Sequence, residues 1–272
     1  MPELPEVESV IQALSTASPS LLGRKVERVL ILWDSVVSNC PISVFQLQLT
    51  DAVFTTAERL GKYMLFKVEC AGDVPKKCRF LIIHLRMTGR LSLVPIAEAV
   101  AQHTRFSLLL DQGCALRFDD PRKFGRAWLV DDPAEVVSNL GPDALTIGFE
   151  EFSQRCFGSQ RQLKPLLLDQ SFVAGIGNIY ADESLFRSGL HPLHKSGNLT
   201  VEELRRLHGA VHSVLNEAVA ANGANIDGVF KAGKFQVSVY GRQGQSCSAC
   251  GTTIVKSRVA QRGTHFCPRC QV

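Results

Sequence analysis

The chain opens Met1-Pro2-Glu3-Leu4-Pro5-Glu6-Val7-Glu8, which places a secondary amine among carboxylates once the initiator methionine is removed. An α-amine titrates near pH 8, so a useful fraction is unprotonated at neutral pH, whereas an exposed lysine with a pKa of about 10.4 is almost wholly charged. Pro2 is therefore a candidate nucleophile toward an electrophilic carbon, and a secondary amine yields a cationic iminium that acts as an electron sink. Glu3 and Glu6 can supply the proton transfers, provided the fold brings them within hydrogen-bond reach. The competing reading, which suits an arbitrary chain, is a frayed terminus with a proline-punctuated entry into a helix.

At the other end, Cys247-Ser-Ala-Cys250 and Cys267-Pro-Arg-Cys270 have the spacing of a zinc ribbon. Each C-x-x-C turn brings two thiolates to one side of a tetrahedral ion, and the residues between are enough for a β-hairpin to return the second pair. Four thiolates leave no open coordination position, so the one zinc ion expected here is structural. Cys40, Cys70, Cys78, Cys114 and Cys156 lack pair spacing and suit a reducing compartment.

These residues need elements to hold them. Val7, Val10, Ile11 and Leu14 recur at helical spacing behind Pro5. From about residue 24 to 130 the pattern turns to short strands, KVERVLIL, KYMLFKVE, RFLIIHL, RLSLV, TRFSLLL, ALRF and RAWLV, which imply a β-sandwich. Beyond it the pattern is helical: one helix through Lys164–Leu168, a turn at Gly175–Asn178, a second helix from Ile179, and a third behind the capping box of Thr200 and Glu203. Residues 222–237, with Gly223, Gly228 and Gly233, read as a loop before a last strand at 235–240. The class is α+β, with boundaries placed at 1–132, 133–240 and 241–272. With 272 residues, 45% of them hydrophobic, the chain can bury ample core, and a net charge of +4 leaves nucleic-acid contact to local clusters. The acidic start and the absence of any spanning apolar run predict a cytoplasmic protein with no membrane partner.

Together MPELPEVE, RLGKYMLF at 59–66, HLRMTG at 84–89, DDPRKFG at 119–125, LLLDQSFVAGIGNIYADESLF at 166–186, VYGRQG at 239–244 and QRGTHFCPRCQ at 261–271 resemble the formamidopyrimidine-DNA glycosylase family, in family order along nearly the whole chain. The resemblance implies a catalytic β-sandwich with an N-terminal helix, a helix–two-turn–helix domain and a C-terminal zinc-ribbon hairpin. It further implies a bifunctional DNA glycosylase and abasic-site lyase of base excision repair, acting on oxidised purines in damaged double-stranded DNA as a bacterial-type monomer without a small-molecule cofactor. Pro2 would attack the sugar C1′, Glu3 would assist proton transfer with support from Glu6, and Lys62 would hold phosphate. Lys164, Asn178 and Arg262 match phosphate contacts, and His84 and Tyr240 occupy DNA-binding blocks. Met87, Arg122 and Phe124 match the residues that fill the void left by a flipped base, and a flexible wedge, a guanidinium and an aromatic plate suit that task.

Two departures bear on lesion preference. Residues 225–240 are shorter than the family's usual stretch there, and Arg86 and Thr88 stand where glycine and serine are usual. An endonuclease VIII-like preference for oxidised pyrimidines or hydantoins is the nearest rival. A noncatalytic zinc-ribbon protein that senses DNA damage is the rival from another class, and intact Pro2, Glu3 and Lys62 argue against it.

Overall fold

Apolar side chains at every second position of the first half can be buried only by a sheet with a covered face, and the chain builds two such sheets. The computed structural model describes residues 2–16, 18–70, 78–226 and 232–272. By their contacts these fall into two units, one holding Glu6–Ser138 with Pro2, the other Asn139–Asn225 and Ala232–Val272 with Glu3–Pro5.

In the first unit, helix α1 (Leu4–Thr16) precedes β1 (Val26–Ile31), α2 (Ile42–Leu49), β2 (Val53–Leu60), β3 (Tyr63–Glu69), β4 (Cys78–His84), β5 (Arg90–Pro95), β6 (Thr104–Leu110), β7 (Cys114–Asp119), β8 (Arg126–Val130) and the short α3 (Ala134–Val137). One antiparallel sheet runs β1-β6-β7-β5 and the other β2-β3-β4-β8. Phe54, Met64, Phe66, Leu81 and Ile83 from one sheet share a core with Val29, Phe106, Leu108, Leu116 and Phe118 from the other. Val7, Ile11 and Leu14 of α1 and Phe45 and Leu49 of α2 close it. The alternate residues Leu65, Ile82 and Val130 form a second apolar cluster with Tyr63, Trp128 and Val136, as a two-residue period requires.

The second unit is helical: α4 (Phe149–Phe157), α5 (Leu163–Leu168), α6 (Asn178–Ser188) and α7 (Val201–Ala220). Thr200 caps α7 by accepting the Glu203 N–H, while the Glu203 carboxylate returns to the Thr200 N–H, so the expected capping box is present. Leu204, Leu207, Val211, Val214 and Leu215 face a core with Leu163, Leu166, Ile179, Tyr180 and Leu185. The hairpin β9 (Val255–Val259) and β10 (Arg262–Phe266) follows.

Three expectations are corrected. The stretch taken wholly as strands also contains α2, and β2 was not among the expected strands. Residues 235–240 form no strand. Three of their amides are taken by a side chain instead, since the buried carboxylate of Glu183 accepts N–H bonds from Ser238 (2.7 Å), Val239 (2.9 Å) and Tyr240 (2.8 Å). Gly228 of the expected loop lies outside the described residues.

Candidate active site and nucleic-acid interface

A helix start leaves N–H groups without intrahelical partners, and α6 finds one for them far away in sequence. Glu3, 1% exposed, accepts hydrogen bonds from the N–H groups of Ile179 (2.9 Å) and Tyr180 (3.3 Å), so its carboxylate sits at the positive end of the helix dipole. The backbone must approach closely: a Cβ on Gly177 would lie 2.2 Å from Glu3 Cδ, which only glycine avoids. Leu4 N–H donates to Gly175 O at 3.2 Å and locks the same segment. Pro2, Glu3 and Glu6 are all buried, so the terminus is anchored rather than frayed.

Lys62, also buried, lies in the turn between β2 and β3. Arg59 braces that turn, its Nε on Glu8 Oε2 at 2.7 Å and its Nη1 on Gly61 O at 3.1 Å. His84 ends β4, its ring edge-on to Tyr63 with centroids 4.5 Å apart. Its Nδ1 accepts the Arg86 N–H at 2.9 Å, which places the ring proton on Nε2. Burial, with help from the Arg86 and Lys62 charges, holds its pKa down at about 3, so His84 is a neutral donor through the physiological range.

Met87 and Phe124 are two of the twelve large apolar side chains exposed among the described residues, at 38% and 46%. The Arg122 guanidinium lies over the Phe124 ring, 4.9 Å from its centroid, a cation–π contact that holds two exposed side chains against each other. Beside Met87, Arg86 has φ of 55°, in the left-handed region that costs any residue with a Cβ energy and that glycine adopts freely.

Lys164, expected to contact phosphate, lies in the interior. Its side chain is wholly buried, with Nζ on Asp182 Oδ1 at 2.6 Å and on Gly263 O at 2.9 Å. Asp182 Oδ2 in turn accepts from the N–H of His265 at 2.9 Å and lies 3.2 Å from its Nδ1. Asn178 Nδ2 reaches the same Gly263 carbonyl at 3.1 Å. Lys164, Asn178 and Asp182 thus converge on the residues after Arg262, which stands exposed behind a hairpin turn whose Ala260 and Gln261 have φ of 46° and 63°. Tyr240 is half-buried, its ring edge-on to His265 with centroids 5.0 Å apart.

Cys247, Cys250, Cys267 and Cys270 bring their Sγ atoms within 4.8 Å of one another. Four thiolates about 2.3 Å from one ion lie at such separations, so the set fits one tetrahedral zinc. Val239, Ile254 and Phe186 pack around them.

Two reduced clusters of polar groups escaped sequence reasoning. Asp182 and Glu183 were not singled out, and their only signal was the neighbourhood of the glycine turn. Asp120, fully buried, was not singled out either.

An anchored amino-terminal segment, exposed Met87 and Phe124 and a four-cysteine hairpin sit in a fold that sequence comparison assigns to the DNA-repair glycosylases. Family models match residues 1–127 (formamidopyrimidine-DNA glycosylase N-terminal domain), 140–228 (formamidopyrimidine-DNA glycosylase H2TH domain) and 244–272 (zinc finger found in FPG and IleRS). A formamidopyrimidine-DNA glycosylase of Symbiobacterium thermophilum is 41% identical over 283 aligned positions, which cover 100% of this chain and 89% of that one. A MutM structure in complex with DNA containing carbocyclic 8-oxo-G superposes with a TM-score of 0.89 at 32% identity, covering 99% of both chains. A Lactococcus lactis Fpg (MutM) complex with DNA containing FAPY-dG gives 0.88 at 32% identity, again with 99% of both. The chain belongs to the formamidopyrimidine-DNA glycosylase family.

Proposed function

We propose that the chain is a bifunctional glycosylase and abasic-site lyase that removes oxidised purines, formamidopyrimidines and 8-oxoguanine, through a Schiff base on Pro2. The observation that carries this reading is the seat of Glu3, which holds the residue next to the amine in a buried, hydrogen-bonded place where a frayed terminus would serve no purpose. Solved relatives bound to DNA containing 8-oxo-G and FAPY-dG analogues support the lesion class.

In the proposed reaction the Pro2 nitrogen attacks C1′ and the base departs with its bonding electrons and a proton. The ring-opened sugar is left as an iminium. Glu3, with Glu6 in support, moves the proton to the opening sugar or departing base. The cationic iminium acidifies C2′–H, so loss of that proton expels the 3′ phosphate and a second elimination expels the 5′ phosphate. Lys62 supplies a fixed positive charge for phosphate. Met87, Arg122 and Phe124 fill the space vacated by the flipped nucleotide, and Arg262, with Asn178, His84 and Tyr240, grips the backbone, which fixes register without reading sequence. Residues 1–132 carry the chemistry, 133–240 the helix–two-turn–helix contacts and 241–272 the zinc finger. The same reading gives a monomer acting on damaged duplex DNA in a bacterial cytoplasm, in keeping with the finding that no helix among the described residues is long and apolar enough to cross a membrane.

The test is borohydride trapping on an abasic duplex with protein whose mass shows Met1 removed, because a retained methionine makes Pro2 N an amide. The expected adduct maps to Pro2, and Glu3→Gln slows excision while duplex affinity holds. An adduct on Lys62 overturns the assignment. A lesion panel with defined opposite bases decides between the purine reading and the oxidised-pyrimidine one, which Arg86, Thr88 and the short 225–240 stretch favour.

A further inference from the structure

The loops that carry Met87 and the Arg122–Phe124 pair are joined by one carboxylate. Asp120 is 0% exposed, and every hydrogen bond its carboxylate accepts comes from these two loops. Oδ1 accepts the Thr88 hydroxyl and the Arg122 N–H (3.2 Å); Oδ2 accepts the N–H groups of Phe124 (2.7 Å) and Gly125 (2.8 Å). Its backbone carbonyl accepts Arg105 Nε at 2.7 Å, which ties the assembly to β6. A buried charge is costly unless its lone pairs are filled, and here four donors fill them. The loop cannot drift away from this anchor, since a Cβ on Gly125 would lie 2.2 Å from Phe118 Cζ in the core. Both loops also hold a residue in the left-handed region, Arg86 at φ 55° and Lys123 at φ 61°, conformations that persist only where surrounding bonds impose them.

We propose that Asp120 is a positioning residue that couples the two loops through Thr88, so that Met87, Arg122 and Phe124 enter a damaged duplex as a single body. The inference rests on the void-filling role given to those three side chains. A rigid pair of loops meets the orphaned base and the neighbouring stack in one step, and the entropy of ordering the wedge and plate is spent in the fold instead of on the DNA.

Stopped-flow fluorescence of the full-length enzyme tests it on a tetrahydrofuran-abasic duplex with 2-aminopurine either opposite the lesion or beside it on the same strand. In the unaltered protein both probes change in one shared phase. Thr88→Val, which removes the hydroxyl link and leaves the three N–H bonds to Asp120, separates them into two phases differing several-fold in rate, and Thr88→Ser keeps the single phase. A folded Thr88→Val protein with one phase at the original rate overturns the proposal. A second measurement leaves the link intact: Met87→Ala slows the probe opposite the lesion by the same factor as the probe beside it. If only the neighbouring probe responds, the loops act separately and the proposal falls. If Met87→Ala and Phe124→Ala leave both probes unchanged, the void-filling reading itself fails and takes the proposal with it.

Discussion

Lys164→Met removes a buried cation while keeping most of the side chain's length and apolar contact. It deletes the bonds from Nζ to Asp182 Oδ1 and to Gly263 O, leaving Asp182 buried with only His265 against its charge. Removing one partner of a buried ion pair costs about 3–5 kcal/mol, because the other charge stays in the interior uncompensated. At about 2–4 °C per kcal/mol for chains of this order of size, the melting temperature should fall by roughly 6–20 °C. Gly263 O keeps Asn178, so the hairpin stays formed below the transition and Arg262 still meets phosphate. Duplex affinity and the slope of log affinity against log salt should therefore both hold below the transition, since no phosphate contact has been lost. Differential scanning calorimetry and an anisotropy series across salt measure both. A melting temperature within a degree of the original, together with a slope shallower by about one unit, would refute the burial argument and return Lys164 to the DNA. The partner substitution adds a pH signature. Burial already lowers the pKa of Lys164, and Asp182→Asn removes the group that raises it. Between the folded lysine values of the variant and of the unaltered protein only the variant's unfolded chain binds the extra proton, so the cost of Asp182→Asn should shrink as pH rises through that window and level off below the unfolded lysine value.

Arg262→Ala should weaken damaged and undamaged duplexes by similar factors and make the salt dependence shallower by about one unit; an unchanged slope would show that the hairpin does not grip phosphate. His84 is held neutral in the fold, with a pKa of about 3 against about 6.5 when unfolded, so its contribution to stability is complete above about pH 6.5 and is lost as pH falls toward 3. Arg86→Gly removes one of the charges that depress it and relieves a left-handed residue, so NMR titration should find the His84 pKa raised, and melting should find the protein no less stable. Stripping the four thiolates with a chelator, or Cys250→Ser, should lower duplex binding by disordering the hairpin that presents Arg262, and metal analysis should return one zinc per chain before treatment.

What the sequence made legible was what periodicity and spacing encode. Strands such as Arg79–His84 and Arg126–Val130, the capping box of α7 and the four cysteines are local patterns, and each formed as read. Helix α2 was missed because ISVFQLQL is short and rich in β-branched and apolar residues, so its period is hidden among strands. The strand expected at 235–240 failed for a different reason: FQVSVY alternates well, but three of its amides are claimed by Glu183, more than fifty residues upstream, and no local pattern announces that. Lys164 shows the limit within the site. Residue type and neighbourhood suited a phosphate contact, yet the partner that decides its role, Asp182, lies one helix away, and pairing across helices is invisible to spacing.

Asp182 and Glu183 are adjacent on α6 but fasten different stretches, Asp182 the zinc hairpin at His265 and Glu183 the segment before the first cysteine pair at Ser238–Tyr240. The carboxyl-terminal residues are fastened too, through Gln271 Nε2 on Leu190 O and Val272 N–H on Gly189 O. The zinc ribbon is therefore not a cassette. A foreign ribbon with four perfect ligands would bind its metal and still sit loosely unless its backbone met the same groups, because Asp182 would keep Lys164 but lose the His265 N–H. Exchange of this module between proteins must carry part of α6 with it.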